Sequence, residues 1–173
     1  MKLLLLTIFL ISSPIWPLGQ NPLVGDPYVI INKQTNRLAY IDNGEIIREY
    51  PVATGQTETL TPEGEFSITV KAIDPYYRKK DIPGGDPKNP LGTRWIGFNA
   101  LDTDGRTYGI HGTNNENSIG YYMTQGCVRM HNEEVEELFE HLPVGTKIRI
   151  LKSEKPLEDI AIEEGVVKKG DSN

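Results

Sequence analysis

The sequence predicts a mainly β domain with one principal helix. Three observations support this prediction: short apolar runs rich in β-branched residues, turn sequences between them, and a single segment with helical periodicity. The length of 173 residues suits one compact domain, since domains typically hold roughly 100–200 residues. A chain of this size can bury a core without disulfide staples. We therefore expect a single folded unit.

The predicted strands fall into an early group and a later group. Residues 28–32, 38–41 and 46–52 are apolar and β-branched, and Asn43-Gly44 between the last two is a strong hairpin signal. Later strands are expected at residues 66–70, 95–98, 108–111 and 147–151. The long irregular stretch 74–92 separates two of them and is typical of a functional lid or a disordered insert.

One helix is predicted at residues 133–142, with Asn132 as its N-cap. Its apolar residues recur at i, i+3, i+4 and i+7: Val135, Leu138, Phe139 and Leu142. Pro143 and Gly145 end the helix before the closing strand. Residues 152–173 are charged and poor in aromatic residues, so we expect a loosely held C-terminal tail.

Composition excludes several classes of function. The chain has 18 Lys+Arg against 24 Asp+Glu, a net charge of −6, which argues against nucleic acid as a partner. A single cysteine can form neither an intrachain disulfide nor a cysteine-rich zinc site. The remaining class is an acidic globular domain with one unpaired thiol.

Residues 1–20 differ from the rest of the chain. Lys2 is followed by an apolar run and by Ser12-Ser13-Pro14, the pattern of a signal peptide, although an uncleaved N-terminal anchor fits as well. We therefore expect an exported protein in the cell wall or periplasm, with membrane attachment only through this segment.

The unpaired thiol of Cys127 can be interpreted in three ways in an exported protein: as half of an intermolecular bridge, as an inert buried thiol or as a nucleophile. Gly126 permits a backbone turn whose amides could bind an oxyanion. Arg129 and the predicted helix would favour the thiolate. His111, at a predicted strand end, could serve as the base.

Together these segments resemble the L,D-transpeptidase catalytic domain, also called the YkuD domain. The resemblance covers about residues 26–151, which we take as the catalytic domain. Five segments carry it: Thr61-Pro62-Glu63-Gly64-Glu65-Phe66, Asn89-Pro90-Leu91-Gly92-Thr93-Arg94-Trp95, Ile110-His111-Gly112-Thr113, Ser118-Ile119-Gly120 and Gly126-Cys127-Val128-Arg129-Met130.

The resemblance implies a β-sandwich whose principal helix follows the catalytic cysteine, and a cysteine peptidyltransferase that acts on peptidoglycan stem peptides. Cys127 would be the nucleophile and His111 the general base. The Gly112 carbonyl would orient the imidazole, and the amides of Gly126 and Cys127 would hold the oxyanion. Arg129 would bind a substrate carboxylate or brace the loop. We expect no cofactor, no metal and a monomer.

One residue departs from the family pattern. Gln125 stands where the family usually has His. Glutamine can donate and accept hydrogen bonds, so it could keep the geometry of the loop as an orienting residue, but it cannot carry a proton or a positive charge. The resemblance implies a thioester on Cys127, formed with release of D-alanine from a stem tetrapeptide and then transferred to an amine acceptor. One alternative is an impaired wall-associated protein. Another is an L,D-carboxypeptidase, in which water hydrolyses that thioester. A zinc hydrolase using His111, Cys127 and His131 is a third, although no second cluster of ligands supports it.

Overall fold

The computed structural model describes residue 23 and residues 25–168, so the predicted signal or anchor segment 1–20 lies outside the described residues. Ten strands and two α-helices follow in chain order: β1 Tyr28–Asn32, β2 Arg37–Asp42, β3 Glu45–Pro51, β4 Thr54–Gly55, β5 Gly64–Ile73, β6 Arg94–Phe98, β7 Tyr108–His111, β8 Tyr122–Thr124, β9 Val128–Arg129, α1 Asn132–His141, β10 Lys147–Leu151 and α2 Leu157–Glu163. The mainly β prediction is confirmed. The short strands β4, β8 and β9 were not predicted, because two or three residues show no periodicity.

Eight strands form one sheet in the order β3-β2-β1-β10-β5-β6-β7-β9, and β4 pairs with β8 separately. The pairs β1–β10 and β7–β9 are parallel, and the other neighbours in the large sheet are antiparallel. The predicted turn between β2 and β3 is present, with positive φ at both Asn43 (53°) and Gly44 (80°). Positive φ at both central residues matches the right-handed twist of a hairpin.

One apolar core holds the two halves of the sheet together. Side chains from β1, β2 and β10 and from β6, β7 and β9 meet in a single buried cluster, which also takes Val135 and Leu138 of α1. The sheet therefore curls so that its two halves face each other, and the structure has the two-layer character expected of a sandwich. The inner faces of β7 and β9 are fixed by this core, which leaves their outer faces free for other contacts.

The C-terminal segment is not a loose tail over its described part. α2 packs on the outer face of β1 and β2, where Leu157, Ile160 and Ala161 cover Tyr28 and Ile30. The expectation of a loosely held tail was therefore wrong for residues 152–168. The apolar residues of α2 stand among three acids in a helix of only seven residues, too short for helical periodicity to be recognised in the sequence. β1 is buried on both faces as a result, which explains its unbroken apolar sequence.

The start of α1 also differs from the prediction. The helix begins at Asn132 and ends at His141, and His131 occupies the N-cap position without a side-chain cap bond. The Asn132 side chain is engaged elsewhere, as described below. Among the described residues no helix is both long enough and apolar enough to cross a bilayer.

The irregular stretch between β5 and β6 has a defined conformation. It contains a 3₁₀ helix, Arg78–Lys80, and a β-bridge between Tyr77 and Ile82. The buried Asn89 side chain donates to the carbonyl oxygens of Pro75 (2.8 Å) and Pro83 (3.0 Å), which ties the two ends of the stretch together. The alternative of a disordered insert is therefore wrong.

Candidate active site

His111 is the last residue of β7, and only 4% of it is exposed. Its Nδ1 lies 2.6 Å from the carbonyl oxygen of Gly112. Because a carbonyl can only accept, Nδ1 carries the hydrogen and Nε2 is the basic nitrogen of the neutral ring. Trp95 of β6 stacks on the imidazole, with ring centroids 5.5 Å apart and an interplanar angle of 16°. The predicted contact between Gly112 and His111 is thus present, and it fixes both tautomer and ring orientation.

Cys127 ends a tight turn that a threonine organises. The Thr124 hydroxyl accepts from the Gly126 N–H (3.1 Å) and donates to the Cys127 carbonyl (2.6 Å). Gly126 has φ 129°, and a Cβ at this position would lie 2.5 Å from the Leu60 carbonyl oxygen, so the turn requires glycine. Sequence reasoning gave Thr124 no role, although a hydroxyl three residues before the cysteine was visible.

The same hydrogen bonds bear on the predicted oxyanion site. The Gly126 N–H already donates to Thr124, whereas the Cys127 N–H meets no acceptor among the described residues. Only the Cys127 amide is therefore ready to receive an oxyanion in this conformation. The oxyanion role of Gly126 stays a prediction, because its amide would first have to leave Thr124.

The two predicted catalytic residues belong to neighbouring segments: His111 ends β7, and Cys127 directly precedes the adjacent parallel strand β9. Ile110 pairs with Val128 and His111 with Arg129, so Cys127 lies beside Gly109. Ile110 and Val128 point into the core, which places Cys127, His111 and Arg129 together on the outer face. Cys127 and His111 are diagonal neighbours with Cα atoms roughly 8 Å apart, by strand spacing and rise. The fold thus places the thiol and the imidazole on the same face of the sheet, and among the described residues no hydrogen bond joins them in this conformation, because the thiol donates to the Thr107 carbonyl.

Burial keeps both groups neutral near pH 7. It raises the pKa of Cys127 to about 11, although the Gly109 N–H and the charge of Arg129 act in the opposite direction. Burial also lowers the pKa of His111 to about 4; the bond to Gly112 opposes this effect, whereas Arg129 adds to it. The expectation of a thiolate favoured by the helix and Arg129 is therefore wrong for the resting protein. Arg129 acts as expected but burial outweighs it, and β9 separates Cys127 from α1.

Arg129 is a half-buried cation without a carboxylate partner in the part of the chain that the structure describes. Its Nε is buried and has no hydrogen-bond acceptor. Burial lowers the pKa of Arg129, and the neighbouring Cys127 raises it. A guanidinium held this way offers an anion several donors, which suits a substrate carboxylate.

Gln125 points away from the catalytic pair. It is exposed, and its Nε2 contacts Gln56 Oε1 at 3.4 Å. Within the described residues it forms no hydrogen bond to Cys127 or His111. Gln125 therefore takes no part in the hydrogen bonds that hold the Cys127 thiol and the His111 imidazole.

A cavity of about 480 Å³ opens beside Cys127. Its floor is the outer face of the sheet, including Val70, Ala72 and Trp95, and its roof comes from the stretch between β5 and β6. The Cys127 sulfur donates to the Thr107 carbonyl oxygen at 3.5 Å along one wall. The stretch predicted as a lid or an insert thus covers the candidate catalytic residue. A second cavity, of about 490 Å³, lies beyond Gln56 and does not include Cys127.

Asn132 braces the loop that follows His111. Its Oδ1 accepts from the backbone N–H groups of Thr93 (3.2 Å) and Thr113 (3.1 Å), and its Nδ2 donates to the Thr113 carbonyl (2.8 Å). A Cβ on Gly112 would lie 2.1 Å from Asn132 Oδ1, so the loop packs closely on this amide. Sequence reasoning placed Asn132 as a helix cap and missed this contact across the fold.

The structure offers no support for a zinc site. Among residues 25–168, no three His, Cys, Asp or Glu side chains lie close enough together to hold a metal ion. His131, a ligand in the zinc alternative, pairs with Glu116 instead.

Known proteins similar to this chain share one family description. A family model described as the L,D-transpeptidase catalytic domain (YkuD) matches residues 26–150. The Bacillus subtilis protein named "Putative L,D-transpeptidase YqjB" is 59% identical over 172 residues, covering 99% of this chain and 98% of that protein. The B. subtilis protein named "Putative L,D-transpeptidase YkuD" is 36% identical over 134 residues, covering 75% of this chain and 71% of that protein.

Solved structures show the same fold. A cysteine-to-serine mutant of the Enterococcus faecium L,D-transpeptidase superposes with a TM-score of 0.60 at 21% identity, covering 75% of this chain and 51% of that one. The L,D-transpeptidase from Stackebrandtia nassauensis gives a TM-score of 0.58 at 20% identity, covering 82% and 62%. By sequence and by fold, this chain belongs to the L,D-transpeptidase (YkuD) catalytic-domain family.

Proposed function

We propose that the chain is a peptidoglycan L,D-transpeptidase that works by acyl transfer through a thioester on Cys127. The observation that carries the proposal is the placement of Cys127, directly before β9, and His111, at the end of β7, on one outer face of the sheet, with Cys127 lining an open cavity. The fixed tautomer of His111 supports it, because a base must present an unprotonated nitrogen. Export through residues 1–20, action outside the cytoplasm and a monomeric state belong to the same proposal.

The first half-reaction forms the thioester. Since both groups are neutral at rest, the thiol proton passes to His111 Nε2 as the sulfur attacks the carbonyl of the third residue of the donor stem. The Cys127 N–H donates to the developing oxyanion. The terminal D-alanine then leaves as an amine, taking the proton from His111. Arg129 binds its carboxylate and holds the leaving group in line.

The second half-reaction consumes the thioester. A side-chain amine of a neighbouring stem attacks the acyl carbon, and His111 accepts the proton that the amine loses. The sulfur leaves as a thiolate and takes that proton back, which restores the neutral pair. Water attacking the same thioester would give a tripeptide instead, the carboxypeptidase outcome.

Gln125 does not prevent this chemistry, because the residues that the steps use are His111, the Cys127 amide and Arg129. Replacing Gln125 with His should change the rate of D-alanine release by no more than about threefold, since surface substitutions away from a site have small effects. A gain of a hundredfold or more would instead support the alternative of an impaired protein.

The decisive experiment is incubation with a purified disaccharide tetrapeptide, followed by mass spectrometry of the products. Cross-linked dimers with release of D-alanine are expected, and tripeptide alone would assign hydrolysis. Cys127→Ala should abolish both products, and a carbapenem should add its mass to Cys127 in the parent protein only. A wild-type chain that is never acylated and releases no D-alanine would refute the proposal.

A further inference from the structure

The cavity beside Cys127 differs in charge from the rest of the molecule. Its lining includes three cationic residues, Arg78, Lys79 and Arg106, and no acidic one. The whole chain, in contrast, carries a net charge of −6. A cleft lined by one sign of charge concentrates ligands of the opposite sign, so the lining favours an anionic ligand.

Two of the three cations are free to bind such a ligand. Arg106 is paired with Asp104, its Nη1 lying 2.6 Å from a carboxylate oxygen. Arg78 and Lys79 form no ion pair with any carboxylate of the described residues. The nearest acid along the chain, Asp81, instead accepts a hydrogen bond from the Tyr76 hydroxyl.

The backbone holds these two cations at the roof of the cavity. Arg78 and Lys79 belong to the 3₁₀ helix, and the bridge between Tyr77 and Ile82 closes the turn that contains it. The bonds from Asn89 tie both ends of the stretch together. Less conformational freedom is therefore lost when an anion binds than in an unstructured loop.

We propose that Arg78 and Lys79 form a carboxylate-recognition rim that selects donor stem peptides with free side-chain carboxylates over stems in which these groups are amidated. The inference rests on the proposed function, because the ligand is the donor of that reaction. The rim is separate from Arg129, which lies on the sheet beside His111 and does not line this cavity. Arg129 binds the terminal carboxylate, and the rim binds carboxylates further along the stem.

The expected preference is modest, because both side chains are exposed. Two exposed charge contacts give about a fivefold difference in dissociation constant between the two stems. The preference should shrink as salt is raised from about 50 mM to about 500 mM, because ions screen exposed charges.

The test measures binding without turnover, in the full chain carrying Cys127→Ala. Isothermal titration calorimetry compares a disaccharide tetrapeptide with free side-chain carboxylates and the same compound with those groups amidated. The free form should bind about fivefold more tightly, and Arg78→Gln with Lys79→Gln should remove the preference. The matched control is Lys80→Gln with Lys88→Gln, which changes net charge equally at two lysines outside the lining and should retain the preference.

Each outcome separates the inference from the proposed function. Equal binding of the two stems, or equal loss in the control pair, would overturn the rim. Tighter binding of the free-carboxylate stem that depends on Arg78 and Lys79 would support the rim. This holds even if the wild-type chain releases no D-alanine, because the lack of release would refute only the catalytic proposal. Alkylation of Cys127 by iodoacetamide, an uncharged reagent, in the corresponding variants of the wild-type chain should be unchanged, which verifies that the cavity is intact.

Discussion

Alkylation of Cys127 by iodoacetamide should be slow at neutral pH and should keep accelerating as the pH rises towards about 11. With a pKa of about 11, about one Cys127 thiol in 10⁴ is ionised at pH 7. An ordinary cysteine, with a pKa of about 8.5, is ionised to about 3% at this pH, so Cys127 should react roughly 300-fold more slowly. Because Cys127 is half-buried and borders an open cavity, this factor is an upper bound, and we expect a deficit of at least about tenfold.

The assay follows the mass of the intact protein over pH 5–11, with glutathione as the reference thiol. The chain has one cysteine, so the carbamidomethylation that is absent from Cys127→Ala under the same conditions reports on Cys127 and not on lysine amines. Arg129→Gln should slow the reaction further, because the charge of Arg129 lowers the pKa of the thiol. A fast, pH-independent plateau between pH 5 and 8 would refute the reasoning, since it is the signature of a thiolate–imidazolium pair.

Three further results are expected. Asn132→Ala should lower the free energy of unfolding in urea by about 2–4 kcal/mol, because it leaves two N–H groups and one carbonyl unpaired, while Asn132→Asp, which keeps the acceptor, should cost less. Gly126→Ala should lower the free energy of unfolding by about 1–3 kcal/mol and slow acylation by a carbapenem. The new Cβ would collide with the Leu60 carbonyl oxygen, and alanine disfavours a φ of 129°. An unchanged acylation rate would contradict this account of the turn. The pKa of His111 falls from 6.5 to about 4 on folding. As the pH is lowered, the unfolded chain therefore binds a proton on this imidazole before the folded chain does. The folded state is fully stabilised by the neutral imidazole above pH 6.5, and this stabilisation is lost as the pH falls towards 4. This effect changes the free energy of unfolding by about 3 kcal/mol between pH 4 and pH 6.5. In urea titrations, the free energy of unfolding of His111→Gln should vary with pH by about 3 kcal/mol less than that of the wild-type chain over this range.

The sequence predicts elements whose signals are local. The strand β1 and the hairpin turn at Asn43 and Gly44 follow from an apolar run and from two residues that tolerate positive φ. Cys127 and His111 could be paired because one thiol and one histidine lie in motifs that resemble a known family. These predictions need no knowledge of distant contacts.

Features that depend on distant contacts could not be predicted. Asn132 looks like a helix cap from its neighbours, but its amide bonds with Thr93 and Thr113, which other parts of the chain bring to it. The pKa of Cys127 depends on how deeply the fold buries it, and nearby charges alone suggested the opposite shift. The packing of α2 could not be predicted because the helix has only seven residues and its apolar face is defined by contact with β1 and β2.

The pairing of β1 with β10 has a consequence for how the chain reaches its native state. These strands come from opposite ends of the domain and lie side by side in the middle of the sheet, with Tyr28 opposite Lys147. A contact so distant in sequence forms late, because closing the long loop between its ends costs entropy before any contact compensates for it. A partly synthesised chain therefore lacks the strand that completes its centre. For a protein proposed to act outside the cytoplasm, the centre of the sheet can therefore close only after residues 147–151 have joined it.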